Sequence, residues 1–448
     1  MRKNNFFVIA LLLTILSFLG SCKKDTSTTT TTTVLSPNVF PGSLYVYSSG
    51  NDTTLKRFLD GKYNTIQGNL VLSTSDQIDY SKYLYSLQMV QGSVTLYKIP
   101  NKDLSFLPNL RSVLGAFQIS ACPELSSFAG LVSLDSIVSS ITIDKNPKFR
   151  TCSGLEQLLS TGSINITGNP SLISLSGLQN MTTMYGSLTI SQNPGISNLI
   201  GLTGLVSIGG NLNLSENSGF SGFTGLANLK EVDGSIMLTT LPKLTSLSNL
   251  SVINDTITSL ALSNCSALTD LIGLTNIPNI KSDISIVSCV GLQALTGLGK
   301  IDTLKGVLEL SKLENLNSFA GLNGLRYVKK SVRIAECNSI TGINGFALLD
   351  SIGGDFVVQD NAKLLSFSGL TQIKTVRGKM QILENSTLKT LDGLENLKNA
   401  RSTLDIYYNP NLTGYCAIKS MTLTGIPYIS LNKFSPTWTQ IKAGDCSR

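Results

Sequence analysis

The sequence predicts a parallel β-solenoid, and three observations predict it. An apolar-x-apolar pair recurs about every 24 residues, Asn or Cys follows five residues after the first apolar position, and Leu or Ile then recurs at spacings of three. A fixed repeat of this length means stacked coils, each too small to bury its own apolar face without neighbours.

The phase places each element. The pairs fall at Leu70/Leu72, Val94/Leu96, Phe117/Ile119, Ile141/Ile143, Ile164/Ile166, Leu188/Ile190, Leu212/Leu214 and Ile236/Leu238. They continue at Leu260/Leu262, Ile284/Ile286, Leu308/Leu310, Val332/Ile334, Phe356/Val358, Met380/Ile382 and Leu404/Ile406, after a degenerate first copy at Leu44/Val46. In the copy from Leu188, Leu188 and Ile190 alternate with Thr189 and Ser191, the period-two pattern of a strand with one buried face. Asn193-Pro194 turns the chain. Ile196, Leu199, Leu202, Leu205 and Ile208 add five inward residues along a curved return path, where Gly201 and Gly209-Gly210 allow tight bends. The copy from Phe356 repeats this with Leu364, Phe367, Gly369, Leu370, Ile373, Val376 and Gly378. Such a return path is too short and kinked for a full helix, which favours a flat β-solenoid with short turns.

Five residues beyond the first strand position stand Asn146, Asn169, Asn193, Asn217, Asn361, Asn385 and Asn409, replaced in other copies by Cys122, Cys265, Cys289 and Cys337. An amide in that inward turn can bond backbone groups of its own coil and the next, where an unpaired buried donor would cost about 1–3 kcal/mol. The phrase L-x-L-x-x-(N/C), with Leu or Ile three residues later as in Asn169-Pro170-Ser171-Leu172, resembles the leucine-rich repeat. The Gly-rich strand start and the Asn-Pro turn look more like the receptor L-domain repeat of bacterial surface lipoproteins. The resemblance runs from about Leu44 to Leu412. It implies a right-handed parallel β-helix of the leucine-rich-repeat or L-domain kind, with about 15–16 coils of 24 residues over 42–414, on the surface of a Gram-negative bacterium. It names no ligand, because such scaffolds bind diverse partners.

This phase governs the eight cysteines. Four occupy the inward turn and Cys152 stands where sister copies place Leu175, Leu199 or Phe367, so these five are expected as small core residues. Metal binding is the alternative, and it is poor: most of the thiols lie one or several coils apart and the chain has no His. No metal or cofactor is therefore expected. Only Cys265 and Cys289 fall in adjacent copies, and a bridge there would replace the turn ladder. Cys416 and Cys446 follow the last repeat and are expected to form a disulfide closing a cap over 415–448.

The eighth, Cys22, belongs to the N-terminus. Met1-Arg2-Lys3 is basic, Phe6 to Leu19 is almost unbroken apolar sequence, and Leu19-Gly20-Ser21-Cys22 offers small residues before a cysteine. This resembles a bacterial lipoprotein signal over 1–21, which implies a lipid-carrying Cys22; a plain secretory signal is the alternative. Several acyl chains on one residue anchor stably, and no other stretch is long and apolar enough to span a bilayer. Lys23-Lys24 lacks an Asp directly after the cysteine, which points to the outer membrane or cell surface. Residues 22–41 are rich in Thr and Ser and are expected to act as a tether.

Charge and residue types narrow the function. From Cys22 onward 33 basic residues stand against 28 acidic ones, a net of about +5 that looks evenly spread, with no basic, aromatic-interleaved stretch for nucleic acid. Without His, Ser-His-Asp and Cys-His catalysis are excluded. Paired carboxylates could still hydrolyse glycosides, with Asp360, Glu384 and Asp405, or Glu309 and Glu336, as candidates; solvated surface charge is the plainer reading. A non-enzymatic protein is expected.

The outward strand face then remains as the place for a ligand. Its middle carries Ser163, Asn165, Thr167, Ser187, Thr189, Ser191, Asn211, Asn213 and Ser215, a lattice of hydroxyls and amides. Toward its ends stand Tyr97, and Tyr407 and Tyr408 beside Gln359, Gln381 and Glu384, a set suited to a sugar ring or a peptide. Tyrosines that merely cover the solenoid ends are the alternative. The expected function is a surface binding or adhesion module for a protein or glycan; a structural spacer without a ligand is the runner-up, and a carbohydrate-active enzyme a minor third.

Overall fold

Alternating apolar residues of each coil build one parallel sheet of seventeen short strands, from Leu44–Val46 to Tyr428–Ser430. The computed structural model describes residues 38–48 and 52–448; the signal sequence, Cys22 and the tether as far as residue 37 lie outside the described residues. The sheet is open, since the first strand pairs only with Leu70–Ser73 and the last only with Leu404–Tyr407. Register is set residue for residue: Leu188 pairs with Ile164 on one side and Leu212 on the other, and Thr189 with Asn165 and Asn213. A one-residue slip would turn every inward Leu and Ile to solvent, so the apolar pairs fix the register as well as the strand.

A second row of two-residue strands closes the back of each coil. It runs from Val39–Phe40 to Ser136–Ile137, from Ser160–Thr161 to Glu231–Val232, and from Thr303–Leu304 to Thr422–Leu423, with an Ile257 to Ile280 bridge in between. Between the two rows the core is continuous: Leu188, Ile190, Ile196, Leu199, Leu202, Leu205 and Ile208 of one coil are all buried. Residues 38–448 form one compact unit.

Two backbone devices repeat. From Val94–Tyr97 onward the residue after each strand of the main sheet is left-handed, Gly only at Gly168 (φ 68°) and otherwise a residue with a side chain, as at Lys98 (φ 55°), Gln192 (φ 57°), Asp360 (φ 51°) and Tyr408 (φ 59°). This costs about 1–2 kcal/mol per residue and swings the next side chain, the Asn or Cys, inward. Midway along the return path Gly225 takes φ 112°, and a Cβ there would meet the Leu199 carbonyl oxygen at 2.0 Å, so only glycine lets successive coils approach.

The ends depart from the repeat. A helix over Asp52–Asp60 replaces the first return path and buries Leu55 and Phe58 against Phe40 and Tyr63. The solenoid therefore includes Val39–Phe40, which the sequence reading assigned to the tether. It also runs past 414, because Asn432 carries the turn position of one more coil although the apolar-x-apolar phrase has gone. Pro427, which has no amide hydrogen, precedes the last strand and blunts the edge. Beyond it a capped helix, Trp438–Ala443, begins at Thr437 with a reciprocal Gln440 bond and ends at left-handed Gly444. A disulfide joins Cys416 to Cys446, and the Tyr415 hydroxyl donates to the Phe434 carbonyl at 2.6 Å.

Candidate binding surface

Two hydrogen-bond ladders decide which polar side chains are available to a ligand. In the inner ladder Asn193 accepts the Asn169 amide at 2.9 Å and donates to the Ile166 and Ser191 carbonyls at 2.9 and 2.7 Å. The same pattern runs from Cys122 to Asn217 and from Cys337 to Asn432. Leu241 and Leu313 occupy the position in the coils between, on either side of Cys265 and Cys289. Each run begins with Cys, whose thiol reaches the two carbonyls that an Asn amide would, as Cys337 does to Leu310 and Ala335 at 3.6 and 3.5 Å.

Burial pushes the Cys122 thiol up to about 11 and those of Cys152 and Cys337 to about 12. Cys265 is held far higher, by a hydrogen bond with Cys289 and then by burial. All five thiols are free and buried; burial favours the protonated form at Cys122, Cys152 and Cys337, whereas the hydrogen bond that raises Cys265 lowers its partner Cys289.

The second ladder stands at the start of the strands. Ser163 Oγ accepts the Ser187 amide at 3.1 Å, Ser187 Oγ the Asn211 amide at 2.9 Å, and Asn211 Oδ1 the Ser235 amide at 2.8 Å. The outward period predicts these three residues on the ligand-facing lattice; the structure instead turns their oxygens onto backbone, in the room left by the glycine before each next strand. Of the remaining middle positions, the Thr167 hydroxyl donates to Asn165 Oδ1 at 3.0 Å and lies 3.0 Å from the Ser191 hydroxyl.

The six sequence-derived candidates fall into two groups. Gln359 bridges Arg333 and Glu384 at 3.1 and 3.3 Å, and Gln381 donates to Asp405 at 3.2 Å, so the amides and acids of the last coils form a surface network. Tyr407 stands at its end, in edge contact with Tyr408 at 5.5 Å and Tyr428 at 5.8 Å. Tyr97 belongs to the other end, thirteen strands away, with the Lys98 ammonium 5.0 Å from its ring. Sequence reasoning missed Tyr428, and also Tyr45 and Tyr47, whose rings stack at 5.9 Å. All three lie in end coils, and the register of Tyr428 with Asp405 and of Tyr45 with Val71 would have located the two that lie in strands. The face is thus polar and self-bonded in the middle and aromatic at both ends, where Tyr47, Tyr408 and Tyr428 are more than half exposed.

The acids weighed for catalysis do not converge. Glu336, Asp360 and Glu384 sit on the left-handed turn, while Glu309 and Asp405 lie within strands and bond Ser285 and Gln381. Among the described residues no group of three or more His, Cys, Asp or Glu side chains could hold a metal ion. A shallow depression lined by Lys102, Glu124, Ser126, Lys148, Arg150 and Ser171 is bridged by a Lys148–Glu124 ion pair at 2.7 Å. No helix among the described residues is long and apolar enough to cross a membrane. Charge is not evenly spread once the chain is coiled, because Lys281, Lys305, Lys329, Arg377 and Arg401 share one column of the second sheet.

These features define a class, a parallel β-solenoid repeat protein like the leucine-rich-repeat and L-domain folds. The family model of the receptor L domain matches residues 64–160. No curated protein sequence matches the chain. Among solved structures, the functional domain of InlJ from Listeria monocytogenes, described as including a cysteine ladder, is 14% identical. That match covers 77% of this chain and 74% of the other at a TM-score of 0.35. TLR13, solved in a complex with ssRNA13, is 15% identical over 82% of this chain and 84% of its own at a TM-score of 0.18.

Proposed function

We propose that the protein is a non-enzymatic binding or adhesion module that takes a protein or glycan on the outward strand face, held to the outer membrane or cell surface through lipidated Cys22. The observation that carries this reading is the cluster of Tyr407, Tyr408 and Tyr428 at the end of the Gln359, Gln381 and Glu384 network. Exposed aromatic rings beside amides and carboxylates offer stacking and directed hydrogen bonds together, which the middle of the face lacks.

Screening the purified protein on glycan and envelope-protein arrays tests the reading. Saturable binding is expected, with loss on changing Tyr407 and Tyr428 to Ala. Silence across both arrays would favour the second reading, a stiff envelope spacer, which is supported by the mutual bonding of Thr167, Ser191, Gln381 and Asp405 along the face. The anchor is tested separately: Cys22→Ala should move the protein out of the membrane fraction, and a variant that stays there removes the lipid from the proposal.

A further inference from the structure

The back of the solenoid carries an ordered row of cations. The residue after each buried position of the second sheet reads, through six successive coils, Lys281, Lys305, Lys329, Gly353, Arg377 and Arg401. The buried residues before the last five are in register: Leu304 with Val328, Val328 with Ile352, Ile352 with Val376 and Val376 with Ala400. The amides of Lys329, Arg377 and Arg401 donate to the preceding coil at 2.8, 3.0 and 2.9 Å, so backbone fixes the spacing of the side chains. At about 4.8 Å per coil the row covers roughly 24 Å.

The single interruption is steric. A Cβ on Gly353 would meet the Lys329 carbonyl oxygen at 2.1 Å.

All five cations are exposed, and Lys330, Lys374, Lys379 and Lys398 flank them. The acids of this flank offset the row only in part. Asp283 and Asp355 accept the Val307 and Lys379 amides at 2.8 and 2.7 Å, Asp350 pairs with Lys374 and Asp302 is exposed, so these four carboxylates stand against the nine cations named. Like charges on neighbouring strands oppose folding. A row that the protein does not balance from within is suited to a partner that balances it from outside.

We propose that this column binds a linear acidic polysaccharide, laid along the stacking axis with one carboxylate for each coil. An extended pyranose unit is about as long as one inter-strand step of about 4.8 Å, so successive uronate groups can meet successive cations. A single strand of nucleic acid fits less well, because it needs a series of aromatic platforms and the row has only Tyr327, already under the Lys329 ammonium at 5.3 Å. A lipid surface fits less well too, because the row is one residue wide and no exposed apolar side chain interrupts it. This surface is separate from the tyrosine face, and the proposal stands whether or not that face binds.

The test is titration of the purified protein with a long oligogalacturonate, with neutral dextran, an oligothymidylate and phosphatidylserine vesicles as comparisons. Saturable binding to the uronate, weakening as salt rises, is expected. K305Q/K329Q/R377Q/R401Q should weaken it at least tenfold, while Tyr407→Ala with Tyr428→Ala should leave it unchanged. Thr424→Lys, which adds a cation where the column continues past Arg401, should tighten it and guards against misreading an unfolded quadruple variant. No uronate binding, binding indifferent to these cation changes, or tighter binding to the oligothymidylate or the vesicles would overturn the proposal.

Discussion

Ser163 Oγ occupies the space that a side chain on Gly186 would need: a Cβ there would lie 2.1 Å from it, and the same oxygen accepts the Ser187 amide at 3.1 Å. The pairing recurs at Gly210 with Ser187, Gly234 with Asn211 and Gly306 with Asp283, at 2.4, 2.3 and 2.1 Å. Glycine at the start of one strand and the oxygen at the start of the preceding strand are thus a single device shared by two coils.

Gly186→Ala is therefore expected to destabilise by about 1–3 kcal/mol, the usual range for overpacking. Combining it with Ser163→Ala should recover part of that loss, giving a coupling of at least about 0.5 kcal/mol in urea unfolding. Strictly additive effects would mean the two residues do not compete for space.

Replacing Asn193 by Leu removes the acceptor of the Asn169 amide and the donor to Ile166 and Ser191. A loss of about 1–3 kcal/mol is expected for each group left unpaired. Asn165→Ala, on the outward face, should change stability by less than about 0.5 kcal/mol. Comparable losses at the two sites in thermal or urea unfolding would contradict the inner ladder.

Stability should also fall in alkali. Cys122, Cys152 and Cys337 are raised from an ordinary 9.0 to about 11, 12 and 12 by burial, so between those values the unfolded chain has released protons that the folded chain still holds. Their contribution is complete below about pH 9 and is lost as pH rises through the folded values. Melting temperature should decline across that window, and Cys152→Ala should lower it at neutral pH yet make the decline shallower. An unchanged slope would remove Cys152 from the effect.

Opening the Cys416–Cys446 bridge, which spans 30 residues, should cost the cap about 3–4 kcal/mol by loop entropy. Hydrogen exchange after reduction should quicken over residues 415–446 and stay unchanged at Leu188–Ser191. Uniform quickening would show that the cap secures the whole stack.

The strands could be read from the chain because two periods, two residues within a strand and about 24 between coils, keep Leu188, Leu212 and Ile236 in one column. Other column properties stay hidden. Lys305 and Lys329 are a full coil apart in sequence, so any local view of charge passes over a row that exists only once the chain is wound. Ser163 and Ser187 obey the outward period, yet space left by glycine in the adjoining coil turns their oxygens onto backbone; alternation cannot report a neighbour's missing Cβ. Tyr45, Tyr47 and Tyr428 lie in end coils that depart from the repeat phrase, where its phase gives least guidance.

The inner ladder also has a direction. Each amide donates to the side chain of the coil that follows, from Asn361 to Asn385, Asn409 and Asn432, and Asn432 ends the series by donating to Ser435 Oγ in its own turn at 3.2 Å. Within this run, a chain that folds from its N-terminal end finishes each coil with one backbone donor open, and the side chain of the next coil closes it. Each coil of the run thus leaves a defined docking point for its successor, and the Asn432–Ser435 bond satisfies the last donor so that the run ends with none left over.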